Sequence, residues 1–204
     1  MPLPRFAKLA PERRHAIIDA ARSEFAAEGF ASASYNRIIA ATGLSKGAMY
    51  YYFTDKADLY EAVIHNALDK METLVRAGDE FTPTTSDDFW NEFTERAQVL
   101  NAAIMADPEM IAFGEKLYAG DMGMRCLSER GAAWLTQILM IGRTCDAVRD
   151  DIPLPLLAHA LTGMSIGLDR YLVRQLAVAE PKELEAAAQH VVALFRDVAG
   201  QRTI

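Results

Sequence analysis

The chain has 204 residues, of which 51% are hydrophobic and 24% charged, and a formal net charge of −7. That balance excludes a disordered polymer, and the length suffices for one or two domains around a deep helical core. No apolar run approaches the ~20 residues of a bilayer span, and the first residues lack an apolar signal core, so a cytoplasmic protein with no membrane partner is expected.

The net charge hides an asymmetry. Residues 1–60 carry eight Lys/Arg against six Asp/Glu, leaving 13 basic and 22 acidic residues for the remainder. A mildly basic head on an acidic body suits a protein that touches nucleic acid with one end only.

In chain order, the spacing predicts helices nearly throughout, with no strand pair and no internal repeat: an all-α fold of about nine helices. The first runs over about 11–28, with Ile17, Ala21, Phe25 and Ala26 on one face, and ends at Gly29. Ser34 caps a second helix that closes at Gly43, and Ser45 caps a third. Thr54 or Asp55 caps a long fourth, striped by Leu59, Val63, Leu68, Met71 and Val75. Residues 77–88 read as a loop, with Gly78, Pro83 and several Thr/Ser. A fifth helix begins near Phe89 and stops before Asp107, whose cap and the following Pro108 open a sixth. A break over 120–123 precedes helices at about 124–148, 153–176 and from Pro181 to the end.

The segment 34–53, SYNRIIAATGLSKGAMYYYF, carries the most information. Two short helices flank Gly43, and the second holds Lys46 and three consecutive tyrosines, the layout of a helix-turn-helix whose second helix enters the DNA major groove. Base edges are best read by Arg, Asn and Gln, and the third helix has none. Lys46 is its one strong donor, Ala48 offers a methyl to thymine, and the hydroxyls of Ser45, Tyr50, Tyr51 and Tyr52 suit phosphate oxygens. Arg37 and Ser34 on the second helix complete the candidate DNA face. Direct readout is therefore expected to be thin, with DNA shape supplying much of the specificity.

With the preceding helix over 13–30 and Lys56 beyond, this stretch resembles the TetR (tetracycline-repressor-like) family of bacterial regulators. The resemblance is specific over roughly residues 13–65 and architectural beyond. It implies a helix-turn-helix DNA-binding domain at 1–55, of three helices, and a larger helical effector-binding and dimerisation domain at 56–204. The family's phosphate-clamping positions fall on Tyr50, Tyr51, Tyr52 and Lys56; histidine is frequent where Tyr52 stands, and alanine is usual at Ile39 and Thr42.

One head contacts few base pairs, so a symmetric dimer on a pseudo-palindromic double-stranded operator is expected. Its seam is assigned to the last two helices, through Leu161, Gly163, Gly167, Leu168 and Leu172 on one and Leu184, Val191 and Phe195 on the other. Trp90, Phe93, Met105, Met110, Phe113, Trp134 and Met140 are the candidate lining for a small, largely apolar effector. By resemblance, such a ligand shifts the fourth helix, respaces the heads and releases the operator. Repression is favoured over activation, because occupancy alone blocks polymerase. No catalytic motif occurs among the scattered His15, His65, His159 and His190, so no enzyme is expected. Cys126 and Cys145 match no zinc spacing and read as buried thiols, so neither cofactor nor metal is expected. The rival reading is a helix-turn-helix protein without a small-molecule effector, governed by a protein partner or acting architecturally.

Overall fold

The computed structural model describes residues 3–76, 80–175 and 181–201, with the side chains of 76 and 181–188 excepted. Among the described residues the fold is all-α: α1 (Pro11–Ser32), α2 (Tyr35–Thr42), α3 (Lys46–Tyr52), α4 (Lys56–Arg76), α5 (Ser86–Met105), α6 (Pro108–Tyr118), α7 (Asp121–Thr144), α8 (Leu154–Gln175) and α9 (Pro181–Ala199). The chain divides into two compact units, one of residues up to Met71 with Asp107–Cys126, the other of Glu72–Ala106 with residues from Leu127 onward. The division falls inside α4 and α7, whereas the sequence suggested a boundary at 55/56.

The first unit is built on α1, whose Ile17, Ile18, Ala21, Phe25 and Ala26 are buried at helical spacing. They meet Ile38 and Ile39 of α2, Met49 of α3, Phe53, and Leu59, Tyr60, Val63 and Ile64 of α4, all buried. Phe25 and Phe30 pack on Tyr60 with ring centroids 4.7 and 4.9 Å away, and Phe113 of α6 approaches the same ring at 6.1 Å. Outside this apolar centre, Arg22 ties α1 to the start of α6 through Asp107 (3.2 Å) and Glu109 (2.9 Å), and Ser23 donates to Glu109.

Several element ends differ from the sequence expectation, each for a local reason. Gly29 does break α1, at φ +71°, but a further helical turn carries it to Ser32 before the chain straightens at Ala33. Asp55 caps α4, accepting from Asp58 N–H at 2.9 Å, while Asp58 accepts from Thr54 N–H at 3.0 Å. Helix α5 begins three residues early because Thr85 and Asp88 form a reciprocal capping box. Gly123 lies inside α7 rather than in a break: a Cβ there would stand 2.4 Å from Leu117 O, so the glycine lets α7 pass close to the end of α6.

The second unit packs Phe89 and Trp90 of α5, Leu135 and Leu139 of α7, Leu157, Ala158 and Leu161 of α8, and Phe195 and Ala199 of α9 into one core. Helix α7 stops at Thr144, short of Val148, because the chain turns back there: Ala147 and Val148 N–H both return to Gly142 O. At Gly142 a Cβ would meet Val148 Cγ2 at 2.4 Å and the Phe89 ring at 2.8 Å, so only glycine fits. Arg143 then donates to the carbonyls of Arg149 and Ile152, and the buried Arg149 pairs with Asp151 at 2.6 Å. Backbone bonds from Arg149 N–H to Ala199 O and from Gln201 N–H to Ala147 O fasten this turn to the end of α9.

Candidate nucleic-acid interface

Helices α2 and α3 are short, and their ends are fixed by side chains. Ser34 Oγ accepts from Arg37 N–H at 3.3 Å, and Ser45 Oγ accepts from Ala48 N–H at 3.1 Å. Between them Gly43 takes φ +66° and ψ 12°, the left-handed conformation in which a side chain is strained. Thr42 Oγ1 donates to Ile39 O at 2.8 Å and accepts from Leu44 N–H, so the threonine tightens the turn. Ile38 and Met49, both fully buried, anchor one helix each to the unit's core.

Burying Met49 and the following Phe53 turns the rest of α3 outward. Lys46 is exposed, Ala48 half-buried, and Tyr50 and Tyr51 are 46% and 51% exposed. Tyr50 packs edge-on against Tyr35, centroids 5.5 Å apart, which holds its ring in place while leaving it open to solvent. Tyr35 itself lies deeper; burial, with smaller help from Tyr50, pushes its phenol up to about 12. Tyr52 is half-buried against Phe6 and is the least available of the three.

Phe6 is a part of the head that the sequence reading missed. It is buried against Phe53 at 4.7 Å, Leu3 N–H donates to Tyr52 O at 3.0 Å, and the Arg5 guanidinium lies 4.5 Å from the Tyr51 ring centroid. The segment before α1 is thus docked along α3, and it brings a cation beside the exposed tyrosines. A lone aromatic between Pro4 and α1 was the available signal.

Two expected DNA ligands are engaged within the protein. Arg37 donates through Nε and Nη2 to Glu24 at 2.7–3.0 Å, and Glu28 stands 3.4 Å away, so its guanidinium holds α2 on α1. Lys56 Nζ donates to Ala31 O (3.2 Å) and Ala33 O (2.9 Å) over the Phe30 ring, fastening α4 to the end of α1. Both side chains therefore join neighbouring helices within the head. Ser34 and Ser45 each accept one backbone bond as caps, leaving the hydroxyl proton for a partner.

The Glu24 pairing has a pH consequence. Hydrogen bonds from Arg37 chiefly, and from Ser34 N–H, hold the Glu24 carboxyl below its ordinary value against the opposing effect of burial. A carboxyl depressed in the folded state stabilises above its unfolded value, and that contribution is lost as pH falls through the folded one. Glu24→Gln is therefore expected to lower the melting temperature by a few degrees at neutral pH, with the difference vanishing in acid. Thermal melts across pH check this; an equal offset at every pH would assign the effect to packing instead.

The remaining candidate residues fall in several places. Leu161 and Phe195, assigned from the sequence to a seam between subunits, are buried in the core of the second unit. Leu168, Leu172 and Val191 are half-buried, Gly163 and Gly167 are exposed, and the side chain of Leu184 lies outside the described residues. The exposed face of α8 is instead Leu156 (62%), Ala160, Gly163, Gly167 and Tyr171 (58%), displaced by one position from the buried stripe. Trp90, Phe93 and Trp134 belong to or pack on the second unit's core, whereas Met110 and Phe113 lie in the first unit's core. Met105 and Met140 are exposed, Met140 by 54%.

A capped, glycine-turned helix pair that presents a cation and hydroxyls on an exposed face, in an all-α chain, defines a helix-turn-helix DNA-binding protein. The sequence profile for bacterial regulatory proteins of the tetR family matches residues 17–63, which span most of α1 through the first turns of α4. Over this head the chain is similar to the TetR family of transcriptional regulators. It is 38% identical over 65 residues to the HTH-type transcriptional regulator HbdR of Aromatoleum sp., covering 32% of this chain but only 28% of that protein. It is 26% identical over 178 residues to the HTH-type transcriptional repressor Rv1474c of Mycobacterium tuberculosis, covering 85% of this chain and 88% of the other. A crystal structure of a putative tetR family regulator from Shewanella sp. PV-4 aligns with TM-score 0.73 over 93% of this chain and 99% of its own, at 16% identity, a likeness of fold. These relatives are transcriptional regulators, not enzymes. Among the described residues no helix is long and apolar enough to cross a membrane.

Proposed function

We propose that this chain is a homodimeric repressor that binds a pseudo-palindromic operator and is released by a small, largely apolar ligand. The observation that carries the reading is the exposed face of α3. Lys46, Tyr50 and Tyr51 stand out from a helix whose opposite side is locked into the core, the arrangement needed to enter a groove without unfolding. Lys46 and the tyrosine hydroxyls engage phosphate and Ala48 a thymine methyl, with Arg5 beside Tyr51 adding charge at the flank. The absence of Arg, Asn and Gln from α3 leaves DNA deformability as the main source of specificity. The role of Rv1474c, a repressor that aligns over most of both chains, favours repression.

For the dimer, the solvent-facing stripe of α8 (Leu156, Ala160, Gly163, Gly167, Tyr171) with Leu194 and Val198 of α9 supports a helix-packed seam. For the effector, the cluster of Trp90, Phe93 and Trp134 in the second unit is the favoured apolar contact surface. A ligand that prefers one spacing of the two heads shifts the equilibrium; one with equal affinity for both does nothing. Such a regulator works where the genome lies, in the bacterial cytoplasm.

The test is capture and sequencing of genomic fragments by the purified protein, followed by fluorescence anisotropy on the recovered duplexes. The expected result is a small set of fragments sharing a pseudo-palindrome, bound with strong salt dependence and a dimer stoichiometry. Absence of salt-sensitive association with every duplex overturns the reading. A compound screen then follows release: a ligand that stabilises the protein yet leaves the operator bound rejects the switch, and a protein that alone triggers release favours control by a partner.

A further inference from the structure

Apart from the DNA face, the first unit gathers three side chains of different ligating chemistry. Glu61 and His65 stand one turn apart on α4, with His65 Nε2 3.9 Å from Glu61 Oε1. Cys126, near the start of α7 and 4% exposed, completes the group. One ligand atom from each residue lies within 4.8 Å of the other two. Tetrahedral coordination at bond lengths of ~2.0–2.3 Å places neighbouring donors roughly 3.3–3.8 Å apart, so side-chain rotation of about 1 Å closes the set.

We propose that Glu61, His65 and Cys126 form a binding site for a divalent transition ion of the zinc class. The donor set is a carboxylate oxygen, an imidazole nitrogen and a thiolate sulfur, which suits zinc or cobalt and disfavours magnesium or calcium. Carboxylate and thiolate together balance the ion's two positive charges, and the Cys126 proton leaves to solvent on binding. Three protein ligands leave a fourth position for water or an exogenous group. Tyr60, the residue before Glu61, supplies an independent observation. Its hydroxyl is buried without a hydrogen-bond partner in the same unit. The ligands come from residues 65 and 126, far apart in sequence, with a helical pair at 61 and 65, so no short cysteine–histidine motif announces them.

The site does not depend on DNA binding, and a protein without operator affinity would still take up the ion. The experiment titrates cobalt(II) into reduced, chelator-treated full-length protein. The expected result is one equivalent bound per chain, with intense tetrahedral visible bands and a thiolate-to-cobalt charge-transfer band, all displaced by zinc. Cys126→Ser should abolish the charge-transfer band, and Glu61→Gln and His65→Asn should each weaken binding at least tenfold, with circular dichroism confirming the fold. Cys145→Ser, in the other unit, should change nothing. A wild-type protein that gives no charge-transfer band, or a band that survives Cys126→Ser, overturns the proposal.

Discussion

Lys46→Glu is expected to weaken operator binding by about two orders of magnitude or more while leaving thermal stability within roughly 0.5 kcal/mol of the wild type. Lys46 opens α3, is exposed, and makes no ion pair among the described residues, so its removal disturbs nothing that holds the head together. Each charge-assisted contact to phosphate is worth about 1.5–3 kcal/mol, and a dimer loses two at once. Charge reversal adds repulsion from the backbone it formerly met. The slope of log affinity against log salt should become shallower by about two units for the dimer, one for each lost contact. Anisotropy titrations over a range of salt, beside thermal melts, measure both quantities. Retained affinity with an unchanged slope would remove Lys46 from the interface and, with it, the orientation assigned to α3.

The contrast with the head's other cations is what makes that variant informative. Arg37 is held by Glu24 and Glu28, and Lys56 by two backbone carbonyls and the Phe30 ring. Loss of either loosens the joints between α1 and its neighbours, so reduced DNA binding there would mix folding with contact. Lys46 has no such double duty.

Local chemistry explains which features could be read directly from the chain. Ser34, Gly43 and Ser45 act through bonds spanning three residues, and the bounds of α2 and α3 follow from them. The buried stripe of α1 is equally local, because a helix fixes which residues share a face. Partners set by folding were not legible. Nothing near Arg37 in sequence announces Glu24 thirteen residues before it, nor does anything near Lys56 announce the carbonyls of Ala31 and Ala33. Helix α8 posed a different difficulty. It is apolar on two sides, so periodicity finds a stripe at Leu157 and Leu161 without revealing that this side faces inward. Phe6 escaped notice because an isolated aromatic has no period.

Gly167→Arg is expected to convert the protein to monomers and to lower operator affinity by roughly 10²-fold or more, the advantage of engaging two half-sites through one rigid particle. In one subunit a side chain at Gly167 meets nothing within 4 Å among the described residues, and Gly163 is equally open. Both sit inside α8, where glycine costs about 1 kcal/mol relative to a good helix former such as alanine or arginine. If that face stays in water, arginine should therefore raise the melting temperature slightly. If a second copy packs there, the same substitution drives a long charged side chain into a close helix contact and breaks it. The two cases move stability in opposite directions, so the sign alone discriminates. Sedimentation analysis at micromolar protein, paired with melts, reads the outcome. A dimer that persists with raised stability would move the seam off this face of α8 and leave Leu156 and Tyr171 as ordinary surface residues.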